Sequence, residues 1–282
     1  MPLDIDLLGR ASEPTPVAWD STDALDVGVC QYDATEGLSF TTECSEGHDH
    51  VVLPAFAINL MQFHEPEISL GKVSHAARLH AEQSLTLKNP RQINGTMLVT
   101  RTVTIVQDKG SGALVAVESV AVDPGTGDWM AISTSKSSIK GARGFDGPES
   151  APSNSVPSRA EDLKLSEQTQ PNQPLPYRLS GDRNPLRVDP CVAAGGGFER
   201  PIFQGLCTYG IALRVLLTAL CDGDSSRFGS ISGRFTKPVF AGEKIEIAVW
   251  HEDTGAAFQV RNGAVTPVID RGYFSYTKED SL

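Results

Sequence analysis

The sequence predicts an α+β protein in which one unit, an apolar helix followed by an antiparallel meander of strands, occurs twice. Three observations predict it. Apolar stripes at helical spacing stand far apart in the chain, at 53–63 and 204–221. Each is followed by several strand-like runs that turn through glycine. Between the two halves, residues 141–175 are rich in Gly, Pro, Ser and Asn. Periodic apolar residues are sparse there, so that stretch is expected to be a linker without a core of its own.

Residues 1–140 form the first expected unit. Its helix puts Phe56, Leu60 and Phe63 on one face. Residues 84–90 then lead through Gly95 into a β-branched run at 96–106. Gly110 and Gly112 turn the chain into two further runs, 113–122 and 129–139. Residues 176–282 form the second unit. Its helix carries Leu206, Tyr209, Leu213, Leu216, Leu217 and Leu220 as a stripe that requires burial. Residues 233–238 lead through Gly242 into 244–250, where Ile245, Ile247 and Val249 share a face. Runs at 256–261 and 266–276 complete the second meander.

Composition narrows the function classes. The 282 residues carry a formal net charge of −11, with no basic stripe, which argues against nucleic acid as a partner. Any attraction for an anionic ligand must be local. The five Cys are odd in number and none is spaced as CxxC, so free thiols in a reducing compartment are expected. The N-terminus has neither a basic nor an apolar leader region, and no apolar run reaches the roughly 18 residues of a membrane span. The C-terminal Asp280-Ser281-Leu282 lacks the small and basic residues of a peroxisomal address. A cytoplasmic protein without membrane contact is expected.

Candidate chemistry concentrates at the start of the second unit. Residues 177–190 read Tyr-Arg-Leu-Ser-Gly-Asp-Arg-Asn-Pro-Leu-Arg-Val-Asp-Pro, and residues 201–206 read Pro-Ile-Phe-Gln-Gly-Leu. An acid, an amide and a Gly-led apolar helix thus fall in one short segment. Asp182 and Asn184 are also the residues that turns prefer, and Asp189 before Pro190 reads as a local cap. Gly195-Gly-Gly197 has neither phosphate-loop pattern and is expected to be a flap beside the site. His48-Asp-His50 lacks further ligands at metal-site spacing, so no metal is expected. His64 and His80 rank second as residues that face a substrate tunnel. Cys191 and Cys207 are expected to be small buried thiols.

These two segments resemble the signature of the MaoC-like, or R-specific enoyl-CoA hydratase (hydratase 2), family. That signature runs roughly Tyr-x-Leu-Ser-Gly-Asp-x-Asn-Pro-Leu-His-x-Asp-Pro, followed by Pro-Ile-x-His-Gly-Leu. Residues 231–243 add a stretch similar to the family's Arg-Phe-x-x-Pro-Val-x-Pro-Gly-Glu, and residues 79–83 (Leu-His-Ala-Glu-Gln) are similar to its first half. The resemblance implies the long, double-hotdog form: two helix-wrapped sheets joined edge to edge, one active site per chain, and a degenerate first hotdog that accommodates the acyl group. It implies reversible addition of water to a 2-enoyl thioester, or its loss from a 3-hydroxyacyl thioester. Coenzyme A or a carrier-protein arm would enter as part of the substrate, with no separate cofactor and no metal. Asp182 takes the place of the water-handling base, Asn184 that of the orienting amide, and Gly205 that of the N–H donor to the thioester oxygen. Tyr177, Phe203, Gln204 and Leu206 are expected to contact substrate. Both His positions of the signature are occupied otherwise, by Arg187 and Gln204. A guanidinium stays protonated and cannot shuttle a proton. Arg187 would instead pair with Asp182 or hold an anionic group. Two alternatives therefore stand beside hydration: a repurposed double hotdog that isomerises or cyclises a polyketide-like substrate, and a non-catalytic acyl-binding subunit. A homodimer is left open.

Overall fold

Twice in the chain, a helix composed almost wholly of apolar residues lies against antiparallel strands. The structure is a computed structural model that describes residues 3–4, 6–31, 37–63, 68–73, 77–89, 92–142 and 155–277. The N-terminal half comprises β1 (Thr15–Trp19), α1 (Ser21–Val29), α2 (Leu38–Thr41), α3 (Phe56–Phe63), β2 (Arg78–Leu87), β3 (Gly95–Asp108), β4 (Gly112–Val122) and β5 (Trp129–Lys140). The C-terminal half comprises β6 (Leu163–Gln168), α4 (Pro174–Tyr177), α5 (Pro190–Gly195), α6 (Gly205–Cys221), β7 (Phe228–Phe235), β8 (Lys244–Glu252), β9 (Gly255–Asn262) and β10 (Pro267–Tyr276).

The ten strands form one antiparallel sheet in the order β1-β3-β4-β5-β2-β7-β10-β9-β8-β6. The two meanders meet edge to edge where β2 pairs with β7, from Glu82 opposite Arg234 to Thr86 opposite Ser230. That pairing satisfies two strand edges that would otherwise stay open. The central helices supply the core. In α6 every residue except Gly205, Thr218 and Ala219 is buried, the pattern of a helix enclosed on all sides. Its end is fixed by Asp222 in the left-handed region (φ 54°), whose N–H returns to the Leu217 carbonyl. In α3, residues 56 to 61 are all buried. The Met61 carbonyl near its end accepts a bond from Arg101 Nε of β3 at 2.9 Å. The Tyr209 hydroxyl of α6 reaches the seam itself, donating to Ile231 O at 2.8 Å with Gln83 O at 3.2 Å.

The expected helices and strands are present, with bounds moved by a few residues. Two expectations need correction, the linker and the glycine flap. The stretch read as a linker, 141–175, contains β6, which pairs with β8 along Leu163–Val249 to Gln168–Lys244. Its residues alternate between half-buried and exposed, because an edge strand needs only one apolar face and the main-chain ladder does the rest. Glu167 of β6 is also held by the buried Arg214 of α6. Residues 143–154 of that stretch lie outside the described residues. Other elements escaped the sequence reading as well, among them β1, five residues at the opposite edge, α1, started by an Asp20/Asp23 capping box, and the short helices α2, α4 and α5. The three glycines 195–197 are not a flap: they end α5, with Gly197 at φ 85°.

Candidate active site

The motif at 177–190 folds as a chain of short turns, each stabilised by its own polar side chain. Gly181 sits at φ 122°, and a Cβ there would overlap the Phe63 side chain of α3, so the motif loop and α3 meet with no room between them. Asp182 Oδ1 accepts from Asn184 N at 3.3 Å, and Asn184 Oδ1 accepts from Leu186 N at 3.0 Å. Asp189 Oδ1 accepts from Cys191 N and Val192 N and caps α5, the local role expected for it. From the other half, Asn59 of α3 donates to the Ser180 hydroxyl at 2.8 Å. The sequence offered no signal for Asn59, since its partner lies 121 positions away.

The loop forms one wall of a cleft of about 400 Å³. Asp182, Asn184, Arg187, Gly205 and Leu206 all line it. So do Gln62 and Phe63 of α3, Arg78 and His80 of β2, and Ser135 and Ser137 of β5. The two halves therefore share the site. Gly205 is the first residue of α6, where backbone N–H groups lack helical partners and the positive end of the helix dipole points outward. The described residues give its N–H no acceptor. An added Cβ would come within 3.3 Å of the Phe235 ring, so the cleft is already tight there.

Arg187 is half-buried beside Asp182, with Nε 4.0 Å from Oδ2. That is an ion-pair distance and too long for a hydrogen bond. Its Nη1 donates to the Phe203 carbonyl at 3.3 Å, while its buried Nε has no hydrogen-bond partner among the described residues. Burial pulls the guanidinium below its ordinary value, and Asp182 and Tyr177 oppose the shift. Arg78, Arg183 and Arg187 line the cleft against one carboxylate, Asp182, so this acidic chain has a local cationic region there.

Of the four residues expected to touch substrate, Leu206 alone lines the cleft. Tyr177, Phe203 and Gln204 pack behind the wall. Tyr177 is 1% exposed, and its hydroxyl points to Asn59 Oδ1 at 3.5 Å. Burial raises that hydroxyl well above its ordinary range. Gln204 is 0% exposed and donates through Nε2 to Pro174 O at 3.0 Å. The physical reason is helix phase: Gln204 and Gly205 are adjacent at the start of α6 and project in different directions, one into the core and one to the cleft.

His80 is the second-rank candidate that the structure moves into the site. His64 lies outside the described residues. The β2–β5 ladder shifts register between His80 and Glu82, a bulge that re-aims a side chain beside a cleft. The His80 ring packs at 4.8 Å from that of Phe235, the same ring that crowds Gly205. Its Nε2 lies 3.1 Å from both the Glu82 carbonyl and Ser135 Oγ. Burial first, then the charges of Arg78 and Arg187, lowers its pKa to about 4, against smaller opposition from the Glu82 carbonyl and Gln83. Cys207 is buried as expected, whereas Cys191 is exposed, because the short α5 sits on the surface. Among the described residues no group of three or more His, Cys, Asp or Glu is placed to hold a metal.

A ten-stranded sheet wrapped on two central helices, with one acid-bearing cleft at the seam, defines a double-hotdog protein. A Mycobacterium tuberculosis protein described as having that fold superposes with a TM-score of 0.62 over 98% of each chain, at 14% identity. Residues 23–141 match the MFE-2 hydratase 2 N-terminal domain, and residues 152–271 match the MaoC like domain. The 3-hydroxyacyl-thioester dehydratase Y of Mycobacterium tuberculosis is 37% identical over 91% of this chain and 90% of its own length. The peroxisomal enoyl-CoA hydratase 2 of Arabidopsis thaliana is 32% identical over 89% and 86%. A crystal structure of a MaoC-like dehydratase from Phytophthora capsici superposes with a TM-score of 0.88 over 99% of each chain, at 30% identity. The chain belongs to the MaoC-like hydratase 2 family.

Proposed function

We propose that this chain is a hydro-lyase that interconverts a 2-enoyl thioester and a 3-hydroxyacyl thioester by adding or removing water. The observation that carries the reading is that Asp182 and the start of α6 at Gly205 open onto one cleft. Asp182 takes a proton from water as the oxygen bonds to C3. The C2–C3 π electrons move toward the thioester carbonyl, and the Gly205 N–H stabilises the resulting enolate oxygen. Asp182 then returns the proton to C2, which balances the addition. Arg187 keeps a positive charge beside Asp182 in the cycle, and Asn184 holds the loop that presents it.

Coenzyme A or a carrier-protein arm enters as part of the substrate, and the cleft arginines favour an anionic thioester carrier. Similarity to named hydratases and dehydratases over nearly the whole chain supports hydration over isomerisation or a purely binding role. Five free cysteines support a reducing compartment, the cytoplasm in this reading. No helix among the described residues is long and apolar enough to cross a membrane.

The test is the loss of enoyl absorbance when purified protein is mixed with 2-enoyl-CoAs of increasing chain length. The wild-type chain hydrates at least one of them. Asp182→Asn lowers kcat by roughly 10²–10⁴-fold, the worth of one positioned acid/base group, with the fold intact. Absence of hydration for every chain length overturns the reading.

A further inference from the structure

The signature position for a second water-handling group is held by Arg187, which cannot give or take a proton at working pH. A hydrating water needs two acceptors, one for each hydrogen, if its lone pair is to point at C3. Asp182 supplies one. The rest of the cleft lining offers arginines, an asparagine, a glutamine, two serines and one imidazole, His80. Three features place that imidazole to serve. It stands beyond the β2–β7 ladder, which ends at Glu82, on a residue re-aimed by the bulge. Its ring contacts Phe235, which in turn packs on Gly205, so His80 sits next to the helix start that receives the thioester oxygen. A carbonyl oxygen can only accept, so the Nε2–Glu82 bond fixes the hydrogen on Nε2 and leaves Nδ1 as the lone-pair nitrogen.

We propose that His80, contributed by the N-terminal half, is a catalytic residue of this site: its Nδ1 accepts one hydrogen of the attacking water while Asp182 accepts the other. The proposal rests on the hydration reading above. His80 stays neutral throughout. The proton that leaves water goes to Asp182 and then to C2, so no proton accumulates on the imidazole. The charged groups facing the ring favour this state. Arg78 on its own strand and Arg187 from the motif loop both oppose a second cation, while the Glu82 carboxylate is engaged with Lys136. Asp182 and Arg183 are the remaining charged residues of the cleft lining, and Arg187 stands beside Asp182.

The experiment uses the whole chain and the best short 2-enoyl-CoA from the wild-type survey. His80→Gln keeps volume and one acceptor but fixes neither geometry nor basicity, and His80→Ala opens an imidazole-sized gap. Both variants are checked for the wild-type circular dichroism spectrum and melting profile. Expected are a fall in kcat of at least roughly 10²-fold for the Ala variant and a partial return on adding free imidazole. A merely structural His would give no such rescue. Expected also is a change on the acid side of the kcat/KM profile. Wild-type activity falls as pH drops through about 4, where His80 gains its proton, and His80→Gln lacks that component. The proposal is overturned if both variants stay within about threefold of wild type while Asp182→Asn is inactive; hydration then survives and His80 is structural. It is overturned equally if the Ala variant is slow but insensitive to imidazole and the acid limb is unchanged. A wild-type chain that hydrates nothing sinks the hydration reading and, with it, this one.

Discussion

Arg187 and Gln204 occupy equivalent places in the signature and behave differently in the molecule. Arg187 reaches the cleft and stands beside Asp182, whereas Gln204 is sealed into the core and bonds to Pro174. Replacing both by His would therefore restore at most one imidazole to the site. Gly181 shows how tightly the neighbouring residue is placed. Its positive φ and its contact with Phe63 leave no room for a side chain. Gly181→Ala is expected to cost at least about 2 kcal/mol, from backbone strain and the forced separation of the loop from α3. It should also lower kcat/KM, because Asp182 is the next residue. Urea denaturation and steady-state kinetics of the same variant measure both effects. An alanine variant as stable and active as wild type would show that the loop adapts freely.

Among the elements, α6 and β6 depend on each other in a way composition concealed. Arg214 is buried within α6, and its charge is met by Glu167 on the edge strand. The strand is thus held by its ladder to β8 and by one ion pair from beneath. Removing one partner of such a pair leaves a buried charge with less compensation. Glu167→Gln is expected to destabilise the fold by about 2–3 kcal/mol, part of the usual penalty being relieved by the partial exposure of Glu167. Guanidine denaturation measures it, and hydrogen exchange should report faster opening of residues 163–168 than of β9. The cleft lined by Asp182 does not include Glu167 or Arg214, so the kinetics of hydration should change little.

For the whole molecule, the seam between β2 and β7 is the decisive feature. It merges two sheets into one and brings an N-terminal wall to a C-terminal motif. Tyr209 spans it from the core of α6, with its hydroxyl toward the carbonyls of Gln83 and Ile231. Tyr209→Phe keeps the ring and strips the bond from buried acceptors, at an expected cost of about 1–2 kcal/mol. If the halves unfold as one unit through this seam, thermal melting of the variant remains a single transition at lower temperature. Two resolved transitions would mean that the halves are independently stable.

The sequence by itself determined the α+β class, the repeated helix-and-meander unit, the core faces of α6 and β8, and the segment carrying Asp182, Asn184, Arg187 and Gly205. These are legible because periodicity, turn chemistry and a short signature are local properties of the chain. The edge strands β1 and β6 were less legible, since one face of a short strand carries little pattern. Tertiary structure alone decided which side of a wall each motif residue occupies, putting Leu206 in the cleft and Tyr177, Phe203 and Gln204 behind it. It also decided that Asn59 holds Ser180 and that His80 meets Asp182 in one cleft. No local rule links those residues; they converge because two strand edges with open hydrogen bonds pair across the seam, and that pairing fixes the distance between the halves.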